Sequence, residues 1–352
     1  MQKDMHFYGT FVIARLSGIP INDAKIIAYS AQYVDDSTKN DSEPHEDGGL
    51  LYGIATAHHN KQVIKNAVIN KEEQRRVWVP FHFLPGGKGS TLQEKLLCVK
   101  DSEIANEMME NHIDATVEKK FGLHLLGVAA HVYMDTFAHY GFSGISSKYN
   151  AVVNTSIKLD PNLPDDMKNY IMDKKGRFFK RFGLEKAISY FAEELSQALG
   201  HGAVATFPDR PYLEWSFEFE HNRADNDKTS IRDNKTTFIE GCEKLYNHFT
   251  AFAKNKYTDS QASSFKKDAI SSILSKPNKA EDRIESWKEK ELIEQNVSYN
   301  EDNWEKDKKS FSKLKASDNG IKSNVYQFHQ AAAYHRYYVL KDLLPKHKIA
   351  VY

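Results

Sequence analysis

Three polar residues spaced four apart give the chain its clearest chemical signal. His131, Asp135 and His139 lie in the apolar stretch 122–144, which reads as a buried helix. Positions four apart drift only about 40° around a helix, so these side chains share one face. Imidazoles and a carboxylate in apolar surroundings are costly unless a partner compensates them. This donor set favours a divalent metal ion, and a structural polar network is the alternative.

Further candidate ligands lie on other segments. Asp35 and Asp36 end a predicted helix over 21–33, where two carboxylates oppose the helix dipole and therefore favour a cation. We predict that Asp36 is the ligand, with Asp35 as the alternative. His82 stands between aromatic residues and prolines in a segment predicted to be extended. The full set of predicted metal ligands is His6, Asp36, His59, His82, His131, Asp135 and His139.

The loop at 200–216 supplies candidates for substrate contact. His201 stands between two glycines, and Asp209 and Arg210 stand between two prolines. Stiff loops of this kind often carry function. His201 could be a ligand or a general base, and Arg210 could bind a phosphate oxygen in bidentate fashion. The alternative is a helix cap with a surface ion pair. The predicted catalytic residues are therefore His201, Arg210 and Asp135.

The donor chemistry points to hydrolysis. The candidates offer nitrogen and carboxylate ligands without thiolates. This set favours a hydrolytic metal site over a structural zinc site held by cysteines, and the metal is expected to be zinc, with manganese or iron as alternatives. One or two ions are expected. Asp135, with a histidine four residues away on each side, is the natural bridge between two ions. Two bridged ions would activate a water molecule and hold a phosphoryl oxygen.

These residues need a helical framework to position them. Apolar periodicity predicts helices over 21–33, 102–119, 122–144, 165–174, 184–199, 231–254 and 323–344, and we see no strand-rich region large enough for a central sheet. The predicted fold is therefore all-α, with the metal-binding helix buried inside. We divide the chain into a metal-binding domain (1–254), a charged helical insertion or appendage (255–320) and a C-terminal helix packed back on the core (321–352).

The composition argues against several functional classes. Lys plus Arg and Asp plus Glu each total 48, so no net field attracts nucleic acid or anionic membrane. No stretch reaches the roughly 18 apolar residues of a spanning helix, and the N-terminal residues lack a secretion pattern. We expect a cytoplasmic protein in which Cys98 and Cys242 are reduced. A small-molecule or phosphoester substrate is expected, and the oligomeric state stays open.

The histidine helix resembles the core helix of zinc-dependent phospholipases C and single-strand zinc nucleases. The resemblance covers roughly 4–150 and is most specific at 123–127 and 131–139, where a His-x3-Asp pair precedes another histidine. It implies an all-α fold with several zinc ions that hydrolyses phosphodiesters. Carried over by motif, His131 would bind one zinc and Asp135 would bridge. Asp36 and His82 would match two further family ligands, and His6 could replace the family's early histidine.

The sequence also departs from that family. Three residues separate Asp135 from His139, where the family has five, and 146–150 lacks the family's final His-x3-Glu pair. The N-terminal tryptophan amine that serves the family as a ligand is absent. The residues at 4–10 and the loop at 200–211 also resemble an uncharacterised bacterial family, which implies no activity.

These observations favour a metal-dependent hydrolase that acts on a phosphoester or phosphodiester. One alternative is a non-catalytic metal-binding or interaction protein with a structural His/Asp network, docking through 255–320. A second is a phosphohydrolase of the HD type, although the adjacent His-Asp pair of that class does not occur. A metallopeptidase is disfavoured because the His-Glu-x-x-His motif is absent.

Overall fold

The structure is a computed structural model built mainly from helices. It describes residues 1–58, 71–181, 200–222, 228–289, 292, 297–313 and 320–351. The longer helices within these ranges are α1 (Thr10–Leu16), α2 (Ile21–Asp36), α3 (Glu103–Glu118), α4 (Gly122–His139), α5 (Asp165–Arg181), α6 (Asn234–Lys256), α7 (Lys267–Leu274), α8 (Ala280–Glu289), α9 (Asp302–Ser310) and α10 (Asn324–Tyr337). The shorter α, 3-10 and π segments are Asp4–Gly9, Lys71–Glu73, Gln74–Trp78, Val79–Phe81, Leu92–Lys95, Lys148–Asn150, Gly202–Val204, Phe311–Lys313, Gly320–Lys322, Tyr338–Leu343 and Leu344–Lys346.

Two small antiparallel sheets show that the all-α prediction is wrong. A hairpin joins β1 (Ser42–Pro44) to β2 (Leu50–Tyr52). A three-stranded sheet has the order β3 (Val152–Leu159), β4 (Glu214–Phe219) and β5 (Thr229–Asp233). About 59% of the described residues are helical, so the fold is mixed α/β with helices dominant.

The three-stranded sheet packs one face against the residues that follow α4. In β4, the buried side chains of Trp215, Phe217 and Phe219 alternate with polar residues. The ring of Phe142 stacks on Phe217 at 5.9 Å, and Phe207 meets Trp215 edge-on at 5.4 Å. The sheet therefore holds the loop around 200–213 close to the C-terminal end of α4.

The buried helix α4 is the centre of the fold. Every residue of α4 except Leu123 is buried, and α2, α3, α6 and α10 all pack against it. The approach of α2 requires a glycine. A Cβ built at Gly127 would lie 2.4 Å from the carbonyl oxygen of Ile27 and 2.6 Å from the Cβ of Ser30. This close contact places the last turns of α2 beside the histidines of α4.

The charged region after α6 contributes to the same hydrophobic core as α1 and α4. The predicted division of the chain into three regions stays a prediction. Ile270, Trp287 and Val297 lie in one hydrophobic cluster with residues of α1 and α4. The buried guanidinium of Arg283 donates from Nε to Asp4 Oδ2 at 2.6 Å. Parts of this region are therefore packed elements and not only a solvated surface.

The structure also bears on the predicted extended segment at 77–87 and on the absence of a membrane-spanning helix. The segment 77–87 was expected to be extended, but the structure makes it helical as far as Phe81, because Pro80 stands in a first turn, where proline is tolerated. The expected helix at 184–199 lies outside the described residues. Among the residues that the structure describes, no helix combines the length and apolar character needed to span a bilayer.

We predict that Gly127→Ala destabilises the protein, because a methyl group would strike the backbone of α2. Overpacking of this kind costs roughly 1–3 kcal/mol, which exceeds the gain in helix propensity of about 1 kcal/mol. Urea unfolding measures the difference. The matched control is Gly176→Ala in α5, where an added Cβ has no described residue within 4 Å and should stabilise the protein by roughly 0.5–1 kcal/mol. Equal stability of the two variants would contradict the close approach of α2.

Candidate metal centre

Histidines and carboxylates from five segments converge around one buried residue of α4. Three groups each place their ligand atoms within 4.8 Å of one another. The groups are His6 with Asp35 and His131, His82 with His131 and Asp135, and His139 with His201 and Asp209. His131 belongs to both of the first two groups, and the contact of 3.6 Å between Asp135 Oδ2 and His139 Nδ1 connects the third, so these residues form one continuous cluster.

The carboxylate of Asp135 lies at the centre and is almost fully buried. Its Oδ2 is 3.2 Å from His131 Nε2, 3.3 Å from His82 Nδ1 and 3.6 Å from His139 Nδ1. Its Oδ1 is 3.2 Å from His6 Nε2. Both oxygens therefore face imidazole rings, as expected for a residue that bridges two cations.

Backbone carbonyls set the tautomers of three of these histidines. His131 Nδ1 lies 2.7 Å from Ala31 O, His139 Nδ1 lies 2.9 Å from His82 O, and His82 Nε2 lies 2.8 Å from Thr56 O. A carbonyl oxygen only accepts, so in each ring the nitrogen at the carbonyl carries the proton. The other nitrogen of each neutral ring then directs a lone pair into the cluster, as in metal-binding histidines oriented by outer hydrogen bonds.

His201 follows the same rule on the loop at 200–211. Its Nδ1 lies 2.6 Å from the carbonyl oxygen of Ala205, and its Nε2 faces Asp209 Oδ2 at 3.9 Å. Asp209 Oδ1 is also 3.1 Å from His139 Nε2. Ala205 adopts φ 48°, a left-handed conformation that is unfavourable for a residue other than glycine. The strained turn thus serves to orient the ring of His201.

Lone pairs that face each other require a cation. The inward nitrogens of His82 and His131 are 3.3 Å apart, although the protons of both rings are held by carbonyls. His6 stacks on His131 at 3.8 Å and is 1% exposed. Its Nε2 lies 3.2 Å from Asp135 Oδ1, but among the described residues neither ring nitrogen makes a hydrogen bond of good geometry. Buried polar atoms without partners are costly. A metal ion or an added proton would satisfy these atoms.

The protonation states suit metal binding. Burial alone would raise the pKa of Asp135, but His139, the Met1 amino group and His131 hold it well below its usual range. Burial lowers the pKa of His6 to about 3 and that of His201 to about 4. Burial would also lower the pKa of His131, but Asp135 and Asp35 raise it, so a metal ion would compete with a proton at that ring. Carboxylates that are ionised and imidazoles that are neutral at neutral pH are the forms that bind metals.

A positive charge already lies where two carboxylates meet. The α-amino group of Met1 is 2.8 Å from Asp135 Oδ1 and 3.3 Å from Asp209 Oδ1. Burial would lower the pKa of this amino group, but Asp135 and Asp209 raise it to about 11. The ammonium group shows that this position accepts a cation, which is the charge that a metal ion would bring.

Most of the predicted ligands come together in the cluster. His6, His82, His131, Asp135 and His139 all lie within it, and His201 joins them through Asp209. His59 lies outside the described residues. Arg210 follows Asp209 in the chain, but its guanidinium binds the hydroxyl groups of Tyr212 and Thr206.

Asp36 was the expected carboxylate of α2, but the structure places Asp35 at the cluster. Asp36 Oδ2 accepts hydrogen bonds from Tyr299 Oη at 2.6 Å and Gln32 Nε2 at 3.2 Å. Asp35 Oδ1 is 4.0 Å from both His82 Nδ1 and His131 Nε2. One residue along a helix is a rotation of about 100°, which directs neighbouring side chains to different surroundings.

Two residues of the cluster, Asp35 and Asp209, are not in the predicted set of metal ligands, and Asp35 was predicted only as the alternative to Asp36. The apolar face of α2 includes residues 24, 28 and 31, and continuing that spacing reaches Asp35 before Asp36. Asp209 stands beside Arg210 in the Pro-Asp-Arg-Pro loop, where two prolines restrict the backbone around a possible carboxylate ligand. The position of the Met1 amino group has no signature in the residue pattern.

The donor set fits a hydrolytic metal. The three groups in the described residues offer imidazole and carboxylate ligands, and neither of the buried cysteines, Cys98 and Cys242, belongs to them. Nitrogen and oxygen donors of this kind suit zinc, manganese or iron.

The chain belongs to a protein family described as "Family of unknown function (DUF6765)", which matches residues 1–343. No curated protein and no solved structure matches the chain. The resemblance to zinc-dependent phospholipases C therefore stays a prediction.

We predict that Asp35→Asn weakens metal binding whereas Asp36→Asn does not. Loss of a carboxylate ligand should raise the dissociation constant for zinc at least about 100-fold, which is the upper range seen for outer-sphere residues. Competition with a chromogenic chelator measures the constants. Asp36→Asn keeps an oxygen that can accept from Tyr299, so it is the matched control. An equal loss in both variants, or no zinc binding by the wild type, would contradict the assignment.

His124 lies on the same face of α4 as His131 but outside the cluster. Its Nε2 is 3.1 Å from Asn324 Oδ1, and burial lowers its pKa from 6.5 to about 4. Between these pH values the folded protein binds fewer protons than the unfolded chain. The stability that neutral His124 contributes is therefore complete above about pH 6.5 and is lost as the pH falls toward 4.

We predict that His124→Leu reduces the loss of stability in acid. Between about pH 7.5 and about pH 5, the wild type should lose roughly 2 kcal/mol more unfolding free energy than the variant. Urea unfolding at several pH values measures both slopes. Asn324 is exposed, so water can replace its lost partner in the variant. Parallel slopes would show that His124 is not buried in its neutral form.

Proposed function

We propose that this protein is a metal-dependent hydrolase that acts on a phosphoester or phosphodiester. The observation that carries the proposal is the orientation of the histidines. His82, His131, His139 and His201 each hold a backbone carbonyl with one nitrogen and direct the other toward the carboxylates. The inward nitrogens of His82 and His139 also lie near Asp135 and Asp209, at 3.3 Å and 3.1 Å. The inward nitrogens of His82 and His131, however, face each other at 3.3 Å, and a structural network of neutral rings would avoid two opposed lone pairs.

Two ions fit the arrangement. The first would be held by His6, Asp35, His82 and His131, and the second by His139, His201 and Asp209. Asp135 faces both sets and would bridge them. When bound, divalent ions of this kind polarise a phosphoryl oxygen and lower the pKa of water to near neutrality.

The protein would shape the reaction by leaving one part of the cluster accessible. The side chain of Asp35 is 24% exposed and that of His201 is 20% exposed, whereas those of His131 and Asp135 are at most 1% exposed. A substrate would therefore reach the ions beside Asp35 or His201. The low pKa of His201 favours a neutral ligand at neutral pH over a group that stores a proton.

One observation favours the non-catalytic alternative. The Met1 ammonium group neutralises part of the charge of Asp135 and Asp209 without a metal ion. In that case the cluster would be a structural network, and the protein would keep its stability in chelator. Zinc would then neither raise the melting temperature nor confer hydrolysis.

We predict that the zinc-loaded protein hydrolyses bis(4-nitrophenyl) phosphate and that Asp135→Asn reduces kcat at least about 1,000-fold. This scale corresponds to about 4 kcal/mol of lost transition-state stabilisation, as expected when a bridging carboxylate is removed from a charged site. Release of nitrophenolate measures the rate. Asp302→Asn changes an exposed carboxylate at the start of α9 and should leave the rate unchanged.

Three results would contradict the proposal. They are hydrolysis that persists in chelator, an Asp135→Asn variant as active as the wild type, and zinc-loaded protein that cleaves neither phosphomonoesters nor phosphodiesters. The last result together with tight zinc binding would identify a non-catalytic metal-binding protein.

A further inference from the structure

A buried guanidinium beside the cluster has no acidic partner. Arg210 is 2% exposed, and its Nη1 and Nη2 each donate to a neutral hydroxyl at 3.2 Å, that of Tyr212 and that of Thr206. Its Nε has no hydrogen-bond partner among the residues that the structure describes. In the part of the chain that the structure describes, no carboxylate lies within ion-pair distance of this group. A buried charge with neutral partners alone is strongly unfavourable.

Two lysines increase the positive charge at the same place. The guanidinium of Arg210 lies 5.2 Å from the ring centre of Tyr170. The ammonium groups of Lys174 and Lys279 lie 5.5 Å and 5.3 Å from that ring centre. The two lysines are exposed, and among the described residues neither forms an ion pair. Three like charges around one ring repel each other more than a cation–π contact of about 1 kcal/mol compensates.

The position relates this charge to the candidate metal centre. Asp209, which faces His139 and His201, precedes Arg210 in one tight turn. Consecutive Cα atoms are about 3.8 Å apart, so the backbone of Arg210 lies directly beside that of Asp209, a residue of the cluster. The turn is stiff because Asn234 Nδ2 donates to the carbonyl oxygens of Phe207 and Arg210, at 2.9 Å and 2.8 Å.

We infer that Arg210, Lys174 and Lys279 around Tyr170 form an anion subsite. It takes a phosphate group of a substrate whose scissile ester lies at the His/Asp cluster. The preferred substrate class is therefore a phosphoester that carries a second anionic group, and this specificity rests on the proposed hydrolase function. Arginine and lysine are the side chains that bind phosphate oxygens most strongly, and an anion would compensate the buried charge of Arg210.

Anion binding without metal tests the subsite alone. Pyrophosphate, titrated calorimetrically into chelator-treated protein, should bind with a dissociation constant that rises roughly tenfold in Lys174→Ala/Lys279→Ala. Both lysines are exposed, so the variant should fold. Lys254→Ala, an exposed lysine of α6, is the matched control and should bind as the wild type does. No binding by the wild type, or equal binding by the double variant, would overturn the subsite.

Arg210→Met tests the buried charge. In anion-free buffer this variant should have a higher melting temperature than the wild type, because an uncompensated charge is replaced by an apolar chain. Pyrophosphate should raise the melting temperature of the wild type but not that of the variant. A variant that melts lower than the wild type without anion would show that Arg210 is already compensated and would overturn the proposal.

Kinetics separate the subsite from the hydrolase function. With zinc-loaded protein, the double lysine variant should raise KM for a diester that bears a terminal phosphate and leave KM for bis(4-nitrophenyl) phosphate unchanged. An equal effect on both substrates would contradict the subsite. If neither diester is cleaved while pyrophosphate binding still depends on the lysines, the hydrolase function fails and the anion site stands.

Discussion

The burial of the Asp135 carboxylate is the constraint on which the rest of the structure depends. An ionised carboxylate at 1% exposure is tolerated only where cations or donors surround it. The chain meets this requirement with segments that are far apart in sequence, from the π-helical turn Asp4–Gly9 to the loop that carries Asp209. The packing of α2 and of the three-stranded sheet against α4 and its C-terminal end serves to bring these segments to one carboxylate.

Backbone carbonyls orient the imidazole rings of the cluster. Ala31 lies in α2, Thr56 and His82 lie in connecting segments, and Ala205 lies in a strained turn, yet each places its oxygen on an imidazole nitrogen. The tautomer of each ring is therefore set by main-chain position and not by another ionisable side chain. Such a design fixes which nitrogen of each ring faces the cluster, because a carbonyl oxygen accepts a hydrogen bond at any pH.

Side-chain spacing made part of this predictable from the sequence. The four-residue spacing of His131, Asp135 and His139 predicts a shared helical face, and α4 presents all three to the cluster. The strand at 214–219 was missed although Trp215, Phe217 and Phe219 alternate, because short apolar runs next to a helix are ambiguous. Asp35 and Asp36 could be separated only by extending the apolar face of α2 to its last turn.

Other features depend on tertiary contact. The neighbours of His6 and Asp209 come from elements distant in sequence, and no local pattern encodes which of them meet. The exchange of Asp36 for Asp35 arises from the same limit, since the rotation of α2 is fixed by Gly127 of α4. Likewise, the packing of Trp287 into the main core overrides the charged composition of the region around it.

The spread of the ligands along the chain has a consequence for biosynthesis. His6, Asp35, His82 and the three residues of α4 emerge from the ribosome before His201 and Asp209, which complete the second group. A nascent chain that has reached the end of α4 thus carries every residue proposed for the first ion, but lacks two of the three residues proposed for the second. Under the proposed function, the second ion would bind only after the three-stranded sheet and the loop at 200–211 have been synthesised and packed.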